Sequence, residues 1–145
     1  MKAKFVKLNQ KAIIPSRGSK EAAGFDLCAC IEEQIIIEAH KTVKIGTGLA
    51  ITPPEGTFGA IFARSGISTK RGLRPANCVG VCDIDYTGEY IVALHNDSDV
   101  NTIVGPGEKI AQLVFLPYVV PEFVEVDSLT ETERGNGGFG STGNK

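Results

Sequence analysis

The segment from residue 134 onward combines groups that suit a phosphorylated ligand. Five glycines lie within Gly135–Gly143, and glycine lets consecutive backbone N–H groups converge on an anion because it adopts positive φ without steric cost. Arg134 adds a planar set of donors that matches phosphate oxygens, and Ser141 and Thr142 add hydroxyls. The ring of Phe139 can stack on another flat ring. The segment therefore indicates a flexible flap that closes on a nucleotide.

Two familiar glycine patterns occur in this segment, but neither has the surroundings that it needs. Gly135, Gly137 and Gly140 satisfy G-x-G-x-x-G, yet that pattern requires a strand before it and a helix after it. Gly138–Gly143 has the spacing of a P-loop, but Asn144 stands where lysine is required. A glycine-rich terminus without a function is the alternative interpretation.

The composition bounds the class of protein. The chain has 145 residues, 42% of them hydrophobic and 22% charged, and its net charge is −2; this predicts a single globular domain. No basic run supports binding to a nucleic-acid polymer. No run of roughly 18 apolar residues predicts a membrane span, and the first residues do not resemble a secretory signal. We therefore expect a cytoplasmic protein.

The four cysteines, Cys28, Cys30, Cys78 and Cys82, form C-x-C and C-x₃-C pairs. Such pairs could hold zinc. Their neighbours alternate or are apolar, however, and buried, reduced thiols explain them more simply.

Short apolar runs bounded by turn residues predict an all-β fold with one short helix around Ser65–Lys70. We expect a jelly-roll-like β-barrel core over residues 1–126 and a C-terminal arm over residues 127–145. The expected strands are Lys4–Leu8, Gln34–Glu38, Val43–Ile51, Thr57–Ala63, Glu89–His95, Val100–Val104, Ile110–Leu116 and Glu122–Val126.

Four further segments carry polar groups in unusual settings. Asp26 is a lone carboxylate between apolar residues, and the alternative is a turn-forming aspartate. Arg64–Gly66 places a guanidinium, a hydroxyl and a glycine where a strand meets a helix, and free N–H groups there suit an anion. The simpler alternative is that Ser65 caps the helix. Strand alternation would place Asp83 and Asp85 on one face.

The fourth of these segments has a single amide, Gln112, among apolar neighbours. An edge-strand polar residue is the simpler reading. Taken in series with the other segments, it completes a pattern that resembles the five motifs of the trimeric dUTP pyrophosphatases (dUTPases). The matching segments are Ala22–Leu27, Ala63–Ser68, Gly80–Glu89, Gly107–Leu113 and Arg134–Gly143. Phe25 stands where tyrosine is common in that family, and Cys82 stands where another apolar residue is usual.

The resemblance implies a homotrimer of jelly-roll-like subunits with three active sites at subunit interfaces, each completed by the C-terminal arm of a further subunit. It implies Mg²⁺-dependent hydrolysis of dUTP to dUMP and pyrophosphate, which limits uracil incorporation into DNA and supplies dUMP for dTMP synthesis. Asp83 matches the residue that activates the attacking water and contacts the sugar 3′-hydroxyl. From the residues alone Asp85 remains possible.

The same resemblance assigns the substrate contacts. Tyr86 would pack beneath deoxyribose and exclude a 2′-hydroxyl, while Asn77 and the backbone of a Gly80–Tyr86 hairpin would read uracil. Phe139 would lie over uracil, and Asp26 would support the water network of a Mg²⁺ carried mainly by the triphosphate. His40 and His95 match no catalytic position. The expected phosphate contacts are Arg64, Ser65, Gly66, Gln112, Arg134, Gly140, Ser141 and Thr142.

Three alternatives are separable by experiment. A dCTP deaminase of related fold would release ammonia from dCTP. A non-catalytic trimer that binds nucleotide as a signal could dispense with Asp83. A β-barrel module without a nucleotide role would leave all five segments unexplained.

Overall fold

Twelve short strands and one helix form the part of the chain that this computed structural model describes, residues 1–138. Every strand pair is antiparallel. The elements are β1 (Lys4–Lys7), β2 (Ser16–Arg17), β3 (Phe25–Cys28), β4 (Ile35–Ile37), β5 (Thr42–Gly46), β6 (Leu49–Thr52), β7 (Thr57–Phe62), α1 (Ser65–Arg71), β8 (Leu73–Pro75), β9 (Gly80–Cys82), β10 (Ile91–Asn96), β11 (Thr102–Val104) and β12 (Lys109–Pro117).

The largest sheet has five strands in the order β2-β3-β12-β7-β9. Three smaller sheets pair β5-β10-β8, β1-β6 and β11-β4. The prediction of a mostly β fold with one short helix is therefore confirmed, although the strands of residues 1–138 form four sheets and do not close into one barrel.

The nine-residue strand β12 organises the largest sheet because it pairs with β3 on one side and β7 on the other. A register shift between Lys109 and Ala111 marks a bulge on its β3 side. The bulge lets two consecutive residues, Ile110 and Ala111, both point into the core, where both are fully buried. Beyond it, Gln112 lies opposite Asp26 of β3.

Helix α1 begins one residue earlier than a serine cap would place it. Arg64 is the N-cap, with extended backbone at φ −91° and ψ 131°, and no side chain caps the helix. Ser65 is the first helical residue, so the reading of Ser65 as the cap is wrong. The helix ends at Gly72, whose φ of 66° lies in the left-handed region that glycine tolerates.

Two strand predictions were wrong. The run Val43–Ile51 is divided into β5 and β6, because Thr47 and Gly48 form a turn with φ of +69° at the glycine. Residues 122–126 form no strand. That segment exposes its apolar side chains instead, with Phe123 at 97% and Val124 at 72% of full exposure.

No helix within residues 1–138 has the length and apolar character to cross a bilayer.

Candidate active site

A cluster of charged groups joins three neighbouring strands of the five-stranded sheet. Asp26 lies on β3, Lys109 begins β12, and Arg64 follows β7 by two residues. The Nε of Arg64 donates to Oδ1 of Asp26 at 2.8 Å, and Nζ of Lys109 donates to Oδ2 at 2.7 Å. Both oxygens of a carboxylate that is only 13% exposed are thus paired with cations.

These contacts set the charge of the cluster. Burial alone would raise the pKa of Asp26, but the hydrogen bond from Lys109 and the positive charge of Arg64 outweigh it and hold the pKa below its ordinary 3.8. Asp26 is therefore ionised at neutral pH. Because two cations face one anion, the cluster keeps an excess positive charge, which suits a polyphosphate.

Gln112 is held beside this cluster by two features of the backbone. Its Nε2 donates to the carbonyl of Ala63 at 2.8 Å. Its Oε1 lies over Gly24, where an added Cβ would come within 2.4 Å of that oxygen. Sequence reasoning gave Gly24 no role; the signal available was a glycine two residues before the only carboxylate of the Ala22–Leu27 motif.

A second group of residues lines a cleft of about 230 Å³ at the edge of the same sheet that β9 forms. Four of the residues predicted from the sequence lie there together: Asn77, Gly80, Asp83 and Tyr86. The volume lies below the roughly 300–1,000 Å³ of typical small-molecule sites. This cleft is therefore smaller than a typical site for a small molecule.

Gly80, which lines this cleft, has little room for a side chain. Gly80 pairs with Ile61 of β7, and a Cβ added there would meet the Cβ of Ile61 at 3.1 Å. Asn77 lies one residue before Cys78, whose φ of +62° is unusual for a residue other than glycine. This conformation closes a tight turn, in which the Val79 N–H donates to the Asn77 carbonyl at 2.6 Å.

Two sequence-based expectations about this loop were wrong. β9 pairs with β7 and not with the segment that follows the loop, so Gly80–Tyr86 is a strand and a turn and not a hairpin. Asp83 and Asp85 lie in that turn, where strand alternation does not apply. The Tyr86 N–H closes the turn on the carbonyl of Asp83 at 3.2 Å.

The ring of Tyr86 has a defined position above Gly88. A Cβ at Gly88 would come within 2.5 Å of the Tyr86 hydroxyl oxygen. That hydroxyl donates to the carbonyl of Glu89 at 3.0 Å. Tyr90 packs nearby, with ring centroids 6.3 Å apart, and its burial raises its pKa so that the phenol stays neutral.

Glu89 and Tyr90 line the cleft as well, and sequence reasoning assigned a role to neither. In the sequence, Glu89 was visible only as the last residue of the Gly80–Glu89 segment.

The structure does not bring all predicted residues to one place. Neither Arg64 nor Gln112 lines the Asp83 cleft. Arg134 lies in an exposed turn, where its Nε donates to the carbonyl of Gly137 at 2.9 Å. The expected contacts Phe139, Gly140, Ser141 and Thr142 lie outside the described residues.

The cysteines are free thiols. Burial raises the pKa of Cys28, Cys30 and Cys82, so these thiols are protonated at neutral pH. Within residues 1–138, no group of three His, Cys, Asp or Glu side chains is placed to hold a metal ion.

The arrangement can be compared with known proteins. A family model described as dUTPase matches residues 10–143. The chain belongs to the dUTPase family.

Relatives of this family match over nearly the whole chain. The deoxyuridine 5′-triphosphate nucleotidohydrolase of Desulfitobacterium hafniense is 46% identical over 144 residues, which cover 99% of this chain and 95% of the relative. The mitochondrial protein of the same name from Dictyostelium discoideum is 48% identical over 98% of this chain and 77% of its own length.

Solved dUTPase structures share the fold. A variant of the Staphylococcus bacteriophage 80alpha dUTPase with dUpNHpp superimposes with a TM-score of 0.88 at 28% identity, and the match covers 98% of both chains. A dUTPase variant from phage phi11 of S. aureus, reported with a structural Mg(II) ion, gives 0.80 at 25% identity, covering 90% of this chain and all of that one. The predicted family and fold class are confirmed, and the residue assignments stay predictions.

Proposed function

We propose that this chain hydrolyses dUTP to dUMP and pyrophosphate with Mg²⁺. The observation that carries the proposal is the cleft that Asp83, Tyr86 and Asn77 line together in a chain of the dUTPase family. The consequence in the cell would be less uracil in DNA and a supply of dUMP for dTMP synthesis.

Asp83 is the proposed catalytic base. A water held by its carboxylate gives up a proton to it and attacks the α-phosphorus in line; the new P–O bond forms as the bond to the β-phosphate oxygen breaks. Pyrophosphate leaves. Asp85 is a weaker candidate, because it lines only the adjoining groove, whereas Asp83 lines both that groove and the cleft with Asn77 and Tyr86.

The cleft also offers a basis for selecting the nucleoside. The fixed ring of Tyr86 would lie beneath deoxyribose and leave no room for a 2′-hydroxyl. Asn77 and the backbone of Gly80–Tyr86 would pair with the polar edge of uracil. A cytosine edge would leave buried donors and acceptors unpaired, which discriminates more strongly than shape does.

The positive cluster is the proposed phosphate side of the site. Arg64 and Gln112 would contact phosphate oxygens, together with the Ser65 hydroxyl and the backbone of Ser65 and Gly66, where no acidic residue lies in the first turn of α1. The arm would add Arg134, Gly140, Ser141 and Thr142 on the outer phosphates, with Phe139 over uracil.

The donor set fits a magnesium ion carried by the substrate. Both oxygens of Asp26 already pair with cations, so a direct bond to a metal would have to displace one of them. An ionised carboxylate can still accept hydrogen bonds from metal-bound water, as the chemistry of Mg²⁺ favours. When bound, Mg²⁺ would supply positive charge to the phosphate oxygens.

The proposed assembly is a homotrimer in which neighbouring chains complete each site. Its support is the small volume of the cleft, the separation of Asp83 from the Arg64 cluster, and the exposed apolar residues between Tyr118 and Leu129. The boundary between core and arm at residue 126 and the cytoplasmic location also stay predictions.

The deciding experiment measures pyrophosphate release from dUTP, dCTP, dTTP, dATP and dGTP, with Mg²⁺ and with EDTA. We expect release from dUTP alone, and only with the metal. Ammonia from dCTP would indicate a deaminase, and equal rates on all five nucleotides would contradict the assigned pocket.

A further inference from the structure

We propose that Glu89 is a positioning residue, whose carboxylate ties the loop of Tyr86 to the turn between β5 and β6 and thereby maintains the discrimination of deoxyribose from ribose. This inference rests on the proposed function, because it gives Tyr86 the sugar-reading role.

The Glu89 carboxylate fits a place made for it by two glycines. Its Oε1 accepts a hydrogen bond from the Gly48 N–H at 2.7 Å. A Cβ at Gly46 would come within 2.3 Å of the same oxygen and 3.0 Å of the carboxyl carbon. Gly48 itself is buried with a φ of +69°. The turn therefore leaves room for the Glu89 carboxylate at Gly46 and offers it a hydrogen-bond donor at Gly48.

The residues after Glu89 are attached to the same turn through their backbone. Thr47 donates to the Tyr90 carbonyl from both its N–H, at 3.2 Å, and its hydroxyl, at 2.7 Å. The Tyr90 N–H donates to the carbonyl of Leu49 at 2.8 Å. The Glu89 side chain thus makes the contact with this turn that lies nearest in sequence to the loop of Tyr86. Going back along the chain from Glu89, the next backbone hydrogen bond is the one from the Tyr86 N–H to the Asp83 carbonyl.

The position of the Tyr86 ring depends on this attachment. Its hydroxyl donates to the backbone carbonyl of Glu89, and its ring passes over Gly88. If the Glu89 side chain is removed, the peptide from Gly88 to Glu89 loses its anchor to the turn. The Glu89 carbonyl stays in place, because it shares a planar peptide with the Tyr90 N–H that donates to Leu49. The Tyr86 hydroxyl therefore keeps its acceptor, while the backbone of residues 86–88 that carries the ring becomes more mobile. The wall that would exclude a 2′-hydroxyl then loosens.

The test compares the wild type with Glu89→Ala, Glu89→Gln and the control Glu33→Ala, which removes an exposed carboxylate far along the chain from the cleft. Steady-state constants are measured for dUTP and UTP. For Glu89→Ala we expect kcat on dUTP to stay within about twofold, KM to rise, and the dUTP-to-UTP ratio of kcat/KM to fall by about tenfold. Glu89→Gln, whose amide oxygen can still accept the Gly48 hydrogen bond, should keep most of that ratio.

Hydrogen exchange gives a second readout that needs no substrate. In Glu89→Ala, the Gly48 amide and the amides of residues 83–88 should exchange about tenfold faster, while the strands of the five-stranded sheet keep their protection. Tyr86→Phe removes the hydroxyl that donates to the Glu89 carbonyl. This variant replaces Glu89→Ala in the test if Glu89→Ala does not fold. In Tyr86→Phe, the amides of residues 83–88 should exchange faster, the Gly48 amide should keep its protection, and the dUTP-to-UTP ratio of kcat/KM should fall.

Each outcome decides one part of the proposal. Unchanged exchange at Gly48 and in the loop of Glu89→Ala would overturn the attachment. Faster exchange with an unchanged dUTP-to-UTP ratio would overturn its link to sugar selection. A wild-type chain that hydrolyses no dUTP would overturn the proposed function and the sugar-selection half of this inference, and the exchange data would still decide the attachment.

Discussion

The chemistry assigned to this chain depends on one exposed carboxylate at the end of a strand. Asp83 follows β9 directly and lines the cleft, whereas Asp85, two residues on, lies outside it. Replacing Asp83 by asparagine keeps the size of the side chain and removes its ability to take a proton.

Asp83→Asn should therefore still bind dUTP but lose catalysis. We expect kcat to fall by roughly 10²–10⁴, the usual contribution of a general base. Calorimetry in EDTA, where we expect no hydrolysis by either protein, should show binding of dUTP close to that of the wild type. Asp85→Asn is the matched control and should retain turnover. Near-normal pyrophosphate release by Asp83→Asn, with loss in Asp85→Asn, would transfer the role to Asp85.

Gly24 offers a test of the phosphate side that separates function from stability. A methyl group at Gly24 would lie 2.4 Å from the Oε1 of Gln112, which is the far end of a flexible side chain. The amide can swing away at the cost of its hydrogen bond to the Ala63 carbonyl, so we expect the free energy of unfolding to fall by only about 1 kcal/mol. The proposed phosphate contact would be lost, and KM for dUTP should rise.

Gly18→Ala is the control for that substitution, because nothing lies within 4 Å of a Cβ added there. Urea unfolding and steady-state kinetics on both variants distinguish the outcomes. If Gly24→Ala leaves KM unchanged, Gln112 does not contact the phosphates.

The residues of this site divide into those that the sequence reveals and those that it hides. Asn77, Gly80, Asp83 and Tyr86 were found through a resemblance to a family, and the structure places them in one cleft. Glu89 escaped because its partner is a backbone N–H 41 positions earlier in the chain. A contact of that kind leaves no pattern in the local sequence.

At the level of the elements, three strands of the largest sheet are joined by ion pairs as well as by hydrogen bonds. Asp26 of β3 pairs with Lys109 of β12 and with Arg64, which follows β7. The pKa of Asp26 is lowered in the folded chain, so the unfolded chain binds its proton more tightly. This stabilisation is complete above the ordinary pKa of 3.8 and is lost as the pH falls through the lower, folded value.

We therefore expect the melting temperature of the wild type to drop in acid, partly because Asp26 becomes protonated and its ion pairs are lost. Asp26→Asn should be less stable than the wild type at pH 7, and the difference should shrink as the pH falls below about 4. Thermal unfolding of both proteins from pH 7 to pH 3 measures it. A difference that stays constant over this range would show that the ion pairs contribute no pH-dependent stability.

Strand prediction succeeded where the apolar pattern was long and failed where tertiary contacts decide. β7, β10 and β12 were located to within about two residues. β3 was missed because its sequence, FDLC, is only four residues long. The turn that splits Val43–Ile51 at Gly48 is fixed by contacts with Glu89, which the local sequence does not show.

At the level of the whole molecule, a single chain shows only parts of a site. The charged cluster and the cleft are separate, and the segment that leads from β12 toward the arm exposes side chains such as Val120 at 83% and Phe123 at 97%. Exposed apolar residues in such a run are typical of a surface that another chain covers, which agrees with the proposed trimer. The Glu122–Val126 prediction failed for an isolated chain, in which this segment has no strand to pair with.

Deleting Arg134–Lys145 should leave the fold and the assembly intact, because the described residues 134–138 are exposed or half-buried and make only local hydrogen bonds. Light scattering should give the same mass as the full chain, with the same melting temperature. Turnover of dUTP should fall by roughly 100-fold or more, since the outer phosphates lose the groups that align them. Unfolding of the shortened chain would contradict the picture of an arm separate from the core.

Mixing two inactive chains then tests whether the arm and Asp83 act from different subunits. The shortened chain keeps Asp83, and Asp83→Asn keeps the arm, so a mixed trimer contains sites that combine an intact Asp83 from one chain with an intact arm from another. Unfolding the two proteins together and refolding them should restore pyrophosphate release, whereas mixing the folded trimers without exchange should not. If every chain supplied its own arm to its own Asp83, no mixed site would hold both groups, and refolding together would leave the activity as low as in either protein alone.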